Sequence, residues 1–453
     1  MKLLISAYGC EPNRGSEYAV GWNWATEAHR LGHEVCVLVS PVHRDAIAAA
    51  VREDVALKEI RWVFPEPHYW SPKWSPKWWR TYYLLWQKAA LRVGRGLHHE
   101  IGFDVVHHLT WGGVRAATFL GSLGPPLIIG PTGGGETSPR SLRDEFRFRD
   151  RILEVTRDLS NSTININPLI RSGIAAAAVI FVKTADTRAL FIGSVRQKTV
   201  LFIELGIQKE QLSLPRMPRQ TPPTFLYAGR LLYWKGVHIA VQAFAHLSKR
   251  MPQARFTIVG SGPEEARLKS DILAYDLKER VDFISWLPQS RLFELYESHD
   301  LLLFPSLHDS SGGVVLEALA RGMPVICLDL GGPKEIVTPN SGVIVKTSGL
   351  NTAQLASHMA DEICNLFASP TTLATLSAGA VARAHEFLFP ERVAQFYRKA
   401  WKIIEERGGS GSKAAKSRDN MSLRENSHGS QFRRFNSRLG GENSRLGGPR
   451  NWL

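Results

Sequence analysis

Two series of short, almost wholly apolar segments alternate with amphipathic ones along this chain, and a proline-rich connector separates the series. The first series is KLLISAY, EVCVLVS, EIRWVF, DVVHHL and PLIIGP; the second is TFLYAG, RFTIVG, VDFIS, LLLFPS and PVICLD. Short apolar runs without polar alternation read as strands buried on both faces, as in a parallel sheet. AVGWNWATEAHRLG, GVHIAVQAFAHLSKR and PEEARLKSDILAYD read as helices between them. The connector LPRMPRQTPPT, from Leu214 to Thr224, cannot be helix interior, because each proline fixes φ and removes an N–H. The expected fold class is therefore α/β, with two doubly wound domains at residues 1–213 and 214–389. An amphipathic helix over 390–406 and a tail over 407–453 follow. A ligand in such a chain lies at the carboxyl ends of the strands, where the domains face each other.

At 453 residues and 44% hydrophobic content the chain is long enough for two cores. Its longest apolar run, IAAAAVIFV at Ile174 to Val182, is about half of the roughly 20 residues that span a bilayer. The opening MKLLISAYGCEPNRGSE reads as a strand and turn rather than a signal peptide, so a cytoplasmic location is expected. Cys10, Cys36, Cys327 and Cys364 show no paired spacing, which argues against a zinc site or a disulfide framework. A large part of the formal charge of +14 sits from Arg407 onward, in a Gly, Ser, Arg and Asn-rich tail that repeats NSRLGG. Such a segment cannot bury a core and reads as disordered. It is either a dispensable appendage or a contact for anionic lipid or nucleic acid. No specific nucleic-acid partner is expected.

The second domain holds the strongest constellation. TFLYAG runs into GRLLYWKG, which places Arg230 and Lys235 just beyond a strand end, where two cations can hold a diphosphate. VGSGPEE puts Gly260 and Gly262 at the next strand end. Then SLHDSSGGVVLEALARGMPVI separates Asp309 from Glu317 by a turn of small residues and a helix start. The amides of Ser311, Gly312 and Gly313 there form an anion site, and acids beside it suit the hydroxyls of a nucleotide sugar. In these motifs the sequence resembles the retaining GT-B glycosyltransferases of group 1, or glycosyltransferase family 4, over Met1 to about Arg407. That family carries G-R-x4-K-G after the first strand of its second domain and two acids eight positions apart.

The resemblance implies two Rossmann-like domains and a nucleoside diphosphate sugar as co-substrate, with no cofactor. It implies that Arg230 and Lys235 contact the donor diphosphate and that Glu317 binds the ribose hydroxyls. Asp309 would hold the donor sugar. The family usually has Glu at that position, so the sugar is less secure than the diphosphate site. The last helix would cross back onto the first domain. The implied mechanism is front-side attack by the acceptor hydroxyl, the departing phosphate taking the proton, with fixed cations rather than a metal as the electrophilic aid.

Signals in the first domain are weaker. GCEPNRGSEYAVGWNWA is neither a dinucleotide fingerprint nor a P-loop. By the resemblance Gly15, Ser16 and Glu17 line the cleft, although a plain strand-to-helix turn also fits. GPTGGGET is a second glycine loop, for close approach to a ligand or as a connector. In DVVHHLTWGG, His107 is favoured over His108 as the histidine that contacts the donor sugar, against the alternative of one core and one surface residue. The stretch from His68 to Glu100 repeats Trp-Ser-Pro-Lys and interleaves aromatics with basic residues. It fits a helix buried against the first domain, or a face for a membrane or a lipid-linked acceptor.

The expected activity is transfer of a sugar from a nucleoside diphosphate donor to a glycan or lipid-linked saccharide, with a peripheral contact to the inner membrane face. The alternatives are a GT-B sugar-nucleotide epimerase or hydrolase, and a non-catalytic binding or assembly protein on the same scaffold.

Overall fold

The described strands fall into two sheets, all of whose pairings are parallel. The structure is a computed structural model and describes residues 1–15, 17–67, 78–216 and 222–408. Ser16, the Trp-Ser-Pro-Lys repeat, part of the proline-rich connector and the tail beyond residue 408 lie outside the described residues.

The first sheet comprises β1 (Lys2–Ala7), β2 (Glu34–Leu38), β3 (Arg61–Val63), β4 (Val105–Thr110), β5 (Leu127–Thr132), β6 (Ala177–Val182) and β7 (Thr199–Leu201), in the order β3-β2-β1-β4-β5-β6-β7. The second comprises β8 (Thr224–Ala228), β9 (Arg255–Val259), β10 (Val281–Ile284), β11 (Leu301–Phe304), β12 (Val325–Leu328) and β13 (Gly342–Val345), in the order β10-β9-β8-β11-β12-β13. Parallel neighbours need crossovers, and helices supply most of them. The strand order reverses between β1 and β4 in one sheet and between β8 and β11 in the other. Those switch points are where open α/β sheets leave a crevice.

Burial follows the apolar pattern. All of β4, β5, β11 and β12 is buried, as strands covered on both faces must be. Helix Val237–Arg250 presses Val237, Ile239, Ala240, Val241, Phe244 and Leu247 into the second core and carries Lys249 and Arg250 at its carboxyl end, where cations favour the helix dipole. Helix Trp79–Ile101 buries Tyr82, Tyr83 and Trp86 against the first sheet, so this part of the aromatic stretch is core.

Packing does not divide at residue 213. Leu142 and Phe146, early in the sequence, belong to the core of the second sheet. Conversely, helix Phe389–Gly408 gives Phe389, Val393, Phe396, Tyr397 and Ala400 to the core of the first, against Trp24, Phe181 and Phe202. The two crossings between sheets run side by side: Ile207 donates to Phe387 O at 2.9 Å and accepts from Phe389 N at 3.1 Å. Both sheets fall within the single compact unit Met1–Glu406.

Candidate active site

A cleft of about 1020 Å³ opens between the carboxyl ends of the two sheets. Its walls come from the loops that leave the switch-point strands. From the first sheet it takes Gly15 and Glu17 after β1, and Gly112 and Gly113 after β4. From the second it takes Lys235 after β8, and the run from Asp309 to Gly313 after β11, with Glu317 behind.

Lys235 ends a single 3-10 turn, Tyr233–Lys235, that stops at Gly236. Gly236 has φ +67°, and a Cβ there would strike the carbonyl oxygen of Pro305, so only glycine fits. This holds the Lys235 stem beside the β11 loop. Its ammonium pairs with the Asp309 carboxylate and lies 5.5 Å from the Phe304 ring centre. Helix Gly313–Ala320 starts at Gly312, with φ +81° and no side chain capping its amides, so their partial positive charge faces the cleft. One turn on, Glu317 accepts from Tyr296 Oη at 3.1 Å and Gln289 Nε2 at 3.3 Å. Burial pushes its carboxyl above the usual range, and those two bonds offset only part of the push. It has no cation partner among the described residues, which suits an acceptor of hydroxyl hydrogen bonds.

The loops of the two sheets also grip each other, with Glu136, Lys183 and Glu204, which the sequence reading did not single out, meeting Ser310 and Ser311. Ser310 Oγ donates to Glu136 Oε2 at 2.6 Å, and Ser311 Oγ donates to Glu204 Oε1 at 2.7 Å. Lys183 Nζ reaches Glu204 Oε1 at 2.6 Å and Ser311 Oγ at 3.3 Å. Burial alone would lower the Lys183 ammonium, but Glu204 and Glu17 outweigh it and raise it. Glu136 shows the converse: burial would raise it, yet hydroxyls of Ser310 and Thr184 hold it below the usual carboxylate range. Gly133, in the second glycine loop, makes the contact fit. A Cβ there would lie 2.8 Å from Ser310 Cβ and 3.0 Å from Lys183 Cδ. That loop serves approach between the two halves.

The expected site residues divide accordingly. Gly15, Lys235, Asp309, Ser311, Gly312, Gly313 and Glu317 all line the cleft. Ser16 lies outside the described residues. Arg230 is exposed at the end of β8 and is not among the lining residues. Gly260 and Gly262 are not among the lining residues; at φ +152° and +158° their α-carbons face the Gly229 and Leu231 carbonyls, which a Cβ would strike, so both positions require glycine.

Both histidines are corrected too. Consecutive strand residues face opposite sides of a sheet, and β4 is covered on both. His107 is fully buried, with Nδ1 2.9 Å from Tyr397 Oη and Nε2 2.7 Å from Gly130 O. His108 is buried on the other side, 3.4 Å from Tyr83 Oη. Burial lowers their pKa values to about 4 and about 3, so both are neutral. Neither lines the cleft.

Glu17, a carboxylate from the first-sheet side, lines the cleft. Its carboxylate takes the Gly112 amide at 2.5 Å, and burial pushes its pKa up despite nearby Lys183. Beside the cleft, Glu154 is fully buried with His308 Nε2 at 2.9 Å, Tyr233 Oη at 3.1 Å and Arg143 at 3.6 Å. Burial would raise its pKa, but His308, the Ser138 amide and Arg157 bring it down to about 2. A carboxyl depressed in the folded state stabilises above its unfolded value and loses that contribution as pH falls. Urea midpoints of the wild type should therefore drop between about pH 4.3 and pH 2, and Glu154→Gln should remove part of that slope. An unchanged slope would exclude Glu154 as its source.

Among the described residues no three His, Cys, Asp or Glu side chains cluster as a metal site requires, and no helix is long and apolar enough to cross a membrane.

Comparison with known proteins sets this geometry in context. Residues 209–363 match the family model described as glycosyl transferases group 1. A 2-deoxystreptamine glucosyltransferase from Streptomyces kanamyceticus is 33% identical over 116 residues, 26% of this chain and 30% of that protein. The chain thus spans about three tenths of the length of that curated relative. Among solved structures, sucrose-phosphate synthase from Thermosynechococcus elongatus superposes with a TM-score of 0.58 at 18% identity, covering 88% of this chain and 98% of that one. Anabaena HepE in complex with UDP and glucose superposes with a TM-score of 0.55 at 15% identity, covering 89% and 100%. At such identities these likenesses show the fold alone. The chain has the GT-B fold, and its second sheet lies wholly within a glycosyl transferases group 1 domain.

Proposed function

We propose that the protein is a glycosyltransferase that moves a sugar from a nucleoside diphosphate donor to a hydroxyl of a glycan or lipid-linked saccharide, with retention at the anomeric carbon. The observation that carries this reading is the convergence of Lys235, the uncapped start of helix Gly313–Ala320, and Glu317 on one cleft between the sheets. A cation and a helix N-terminus suit a diphosphate, and a carboxylate without a cation partner one turn further along suits the ribose hydroxyls. The UDP and glucose held by HepE make a uridine donor the first to try.

In this reading the diphosphate displaces Asp309 from Lys235, freeing the Asp309 carboxylate for the donor sugar's hydroxyls. Arg230 adds a rim charge. The acceptor oxygen attacks the anomeric carbon from the face that the diphosphate leaves. The C–O bond to the β-phosphate breaks as the new C–O bond forms, and the acceptor's proton passes to the departing phosphate oxygen. Lys235 and the helix amides offset the charge that develops on that oxygen, and closure of the sheets excludes water.

The test is to incubate the protein with nucleoside diphosphate sugars and candidate saccharide acceptors, and to read the product's anomeric proton coupling by NMR. The expected product keeps the donor's configuration. An inverted product would overturn the mechanism, and donor consumed equally without acceptor would point to hydrolysis or epimerisation instead.

A further inference from the structure

Helix Phe148–Ser162 is built inside out. Its inward face is polar: Glu154 is fully buried with His308 and Tyr233, and Asn161 accepts from Arg115 and donates to Gly135 O at 3.0 Å. Its outward face is apolar. Phe148, Ile152, Val155 and Leu159 follow one another at four, three and four residues, a single stripe of the helix. They are 80%, 47%, 61% and 63% exposed. Beyond the helix the apolar exposure continues at Ile166, 70%, and Leu169, 45%. A stripe of this kind on a water-soluble surface marks a contact.

The charges beside it indicate what it contacts. Arg147 stands at the N-cap position without capping the helix by its side chain, and Arg149 and Arg151 follow, all exposed, with Asp150 the only acid in the first turn. Arg147 lies 3.9 Å from Glu264 and Arg151 donates to the Asp144 carbonyl, yet all three guanidiniums remain exposed and can also meet an anionic surface. An apolar stripe flanked by arginines is the composition of a helix that lies in the headgroup layer of an anionic bilayer. A second basic segment of this chain would be repelled by the same arginines.

We propose that this face, Phe148 to Leu159 with Arg149 and Arg151, docks the protein on an anionic membrane surface. The helix sits beside the cleft: Arg115, bonded to Asn161, also donates to Gly134 O at 2.8 Å, and Gly134 lines the cleft wall. Docking therefore brings the cleft to the lipid surface.

The test is co-sedimentation of the full chain with vesicles of phosphatidylcholine, with and without phosphatidylglycerol. The wild type is expected to bind the vesicles that contain phosphatidylglycerol. Phe148→Ser/Ile152→Ser/Val155→Ser and, separately, Arg149→Glu/Arg151→Glu are each expected to weaken that binding about tenfold or more. These side chains are exposed, so circular dichroism should match the wild type and thermal transitions should not fall below it, the glutamates at the helix N-terminus favouring its dipole. Undiminished binding by the variants, with the basic tail then holding the vesicle, would overturn the proposal. So would absence of wild-type binding, or a wild-type dimer that the serine variant dissolves, which would name a second copy as the occupant. The readout needs neither donor nor acceptor, so its failure is separate from failure of the transferase reading.

Discussion

Lys235→Ala is expected to lower turnover roughly 100-fold to 1,000-fold at saturating donor and acceptor, in protein that remains folded. The size follows from the position of the charge. Removing one fixed donor aimed at developing negative charge in a water-poor site costs about that factor. Here the loss is compounded, because Asp309, which now pairs with Lys235, would face the leaving phosphate as an unneutralised anion. The side chains of this pair are 18% and 19% exposed, so it contributes less to folding than a fully buried pair. Steady-state kinetics beside a thermal melt separates the two effects. Turnover within threefold of wild type would remove Lys235 from the chemistry.

Lys183→Met should instead act on stability first. Lys183 is 15% exposed and Glu204 4%, and their ion pair is the point where the first sheet holds Ser311 of the second. The substitution leaves Glu204, and Glu17 nearby, without their cation. Breaking a buried pair in this way costs about 3 kcal/mol or more, because one charge stays buried and uncompensated. Adding Glu204→Gln should recover part of that loss, which equilibrium urea denaturation would show. The raised Lys183 ammonium gives the pH sign: its contribution is complete below the unfolded lysine value of about 10.4 and fades as pH rises through the folded value. Equal stability of Lys183→Met and the wild type would contradict the grip between the loops.

Lys183 also shows where sequence reading falls short. AAVIFVK is an apolar strand followed at once by a cation, the same signal that exposed Lys235, yet the run drew attention only for its length against a bilayer. Glu204 and Glu136 carry no local pattern. They become partners of Ser311 and Ser310 only when residues more than a hundred positions apart meet. Lys235 after β8, and Asp309, Gly312 and Glu317 after β11, could be picked out because each strand-turn-helix unit fixes local spacing and a carboxyl strand end aims both loops at the cleft. The paired histidines misled for a reason the sequence contains: in a strand apolar throughout, neighbouring residues lie on opposite covered faces, so both belong to the core. Gly260 and Gly262 were legible as glycines at a strand end. That a neighbouring carbonyl also demands glycine at both positions needed the loop packing. Strands β6, β7 and β13 were absent from the sequence reading. β7 spans only Thr199–Leu201, and β13 is buried only at its ends, Gly342 and Val345, where the central strands are buried throughout.

The central claim is that the cleft binds a nucleoside diphosphate through Lys235 and Glu317. Calorimetric titration of a panel of nucleoside diphosphates, UDP first, into the wild type, Lys235→Ala and Glu317→Ala tests it most directly. One-to-one binding of one diphosphate by the wild type is expected, weakened about tenfold or more in each variant. Binding of equal strength by all three proteins, or none by folded wild type, would contradict it.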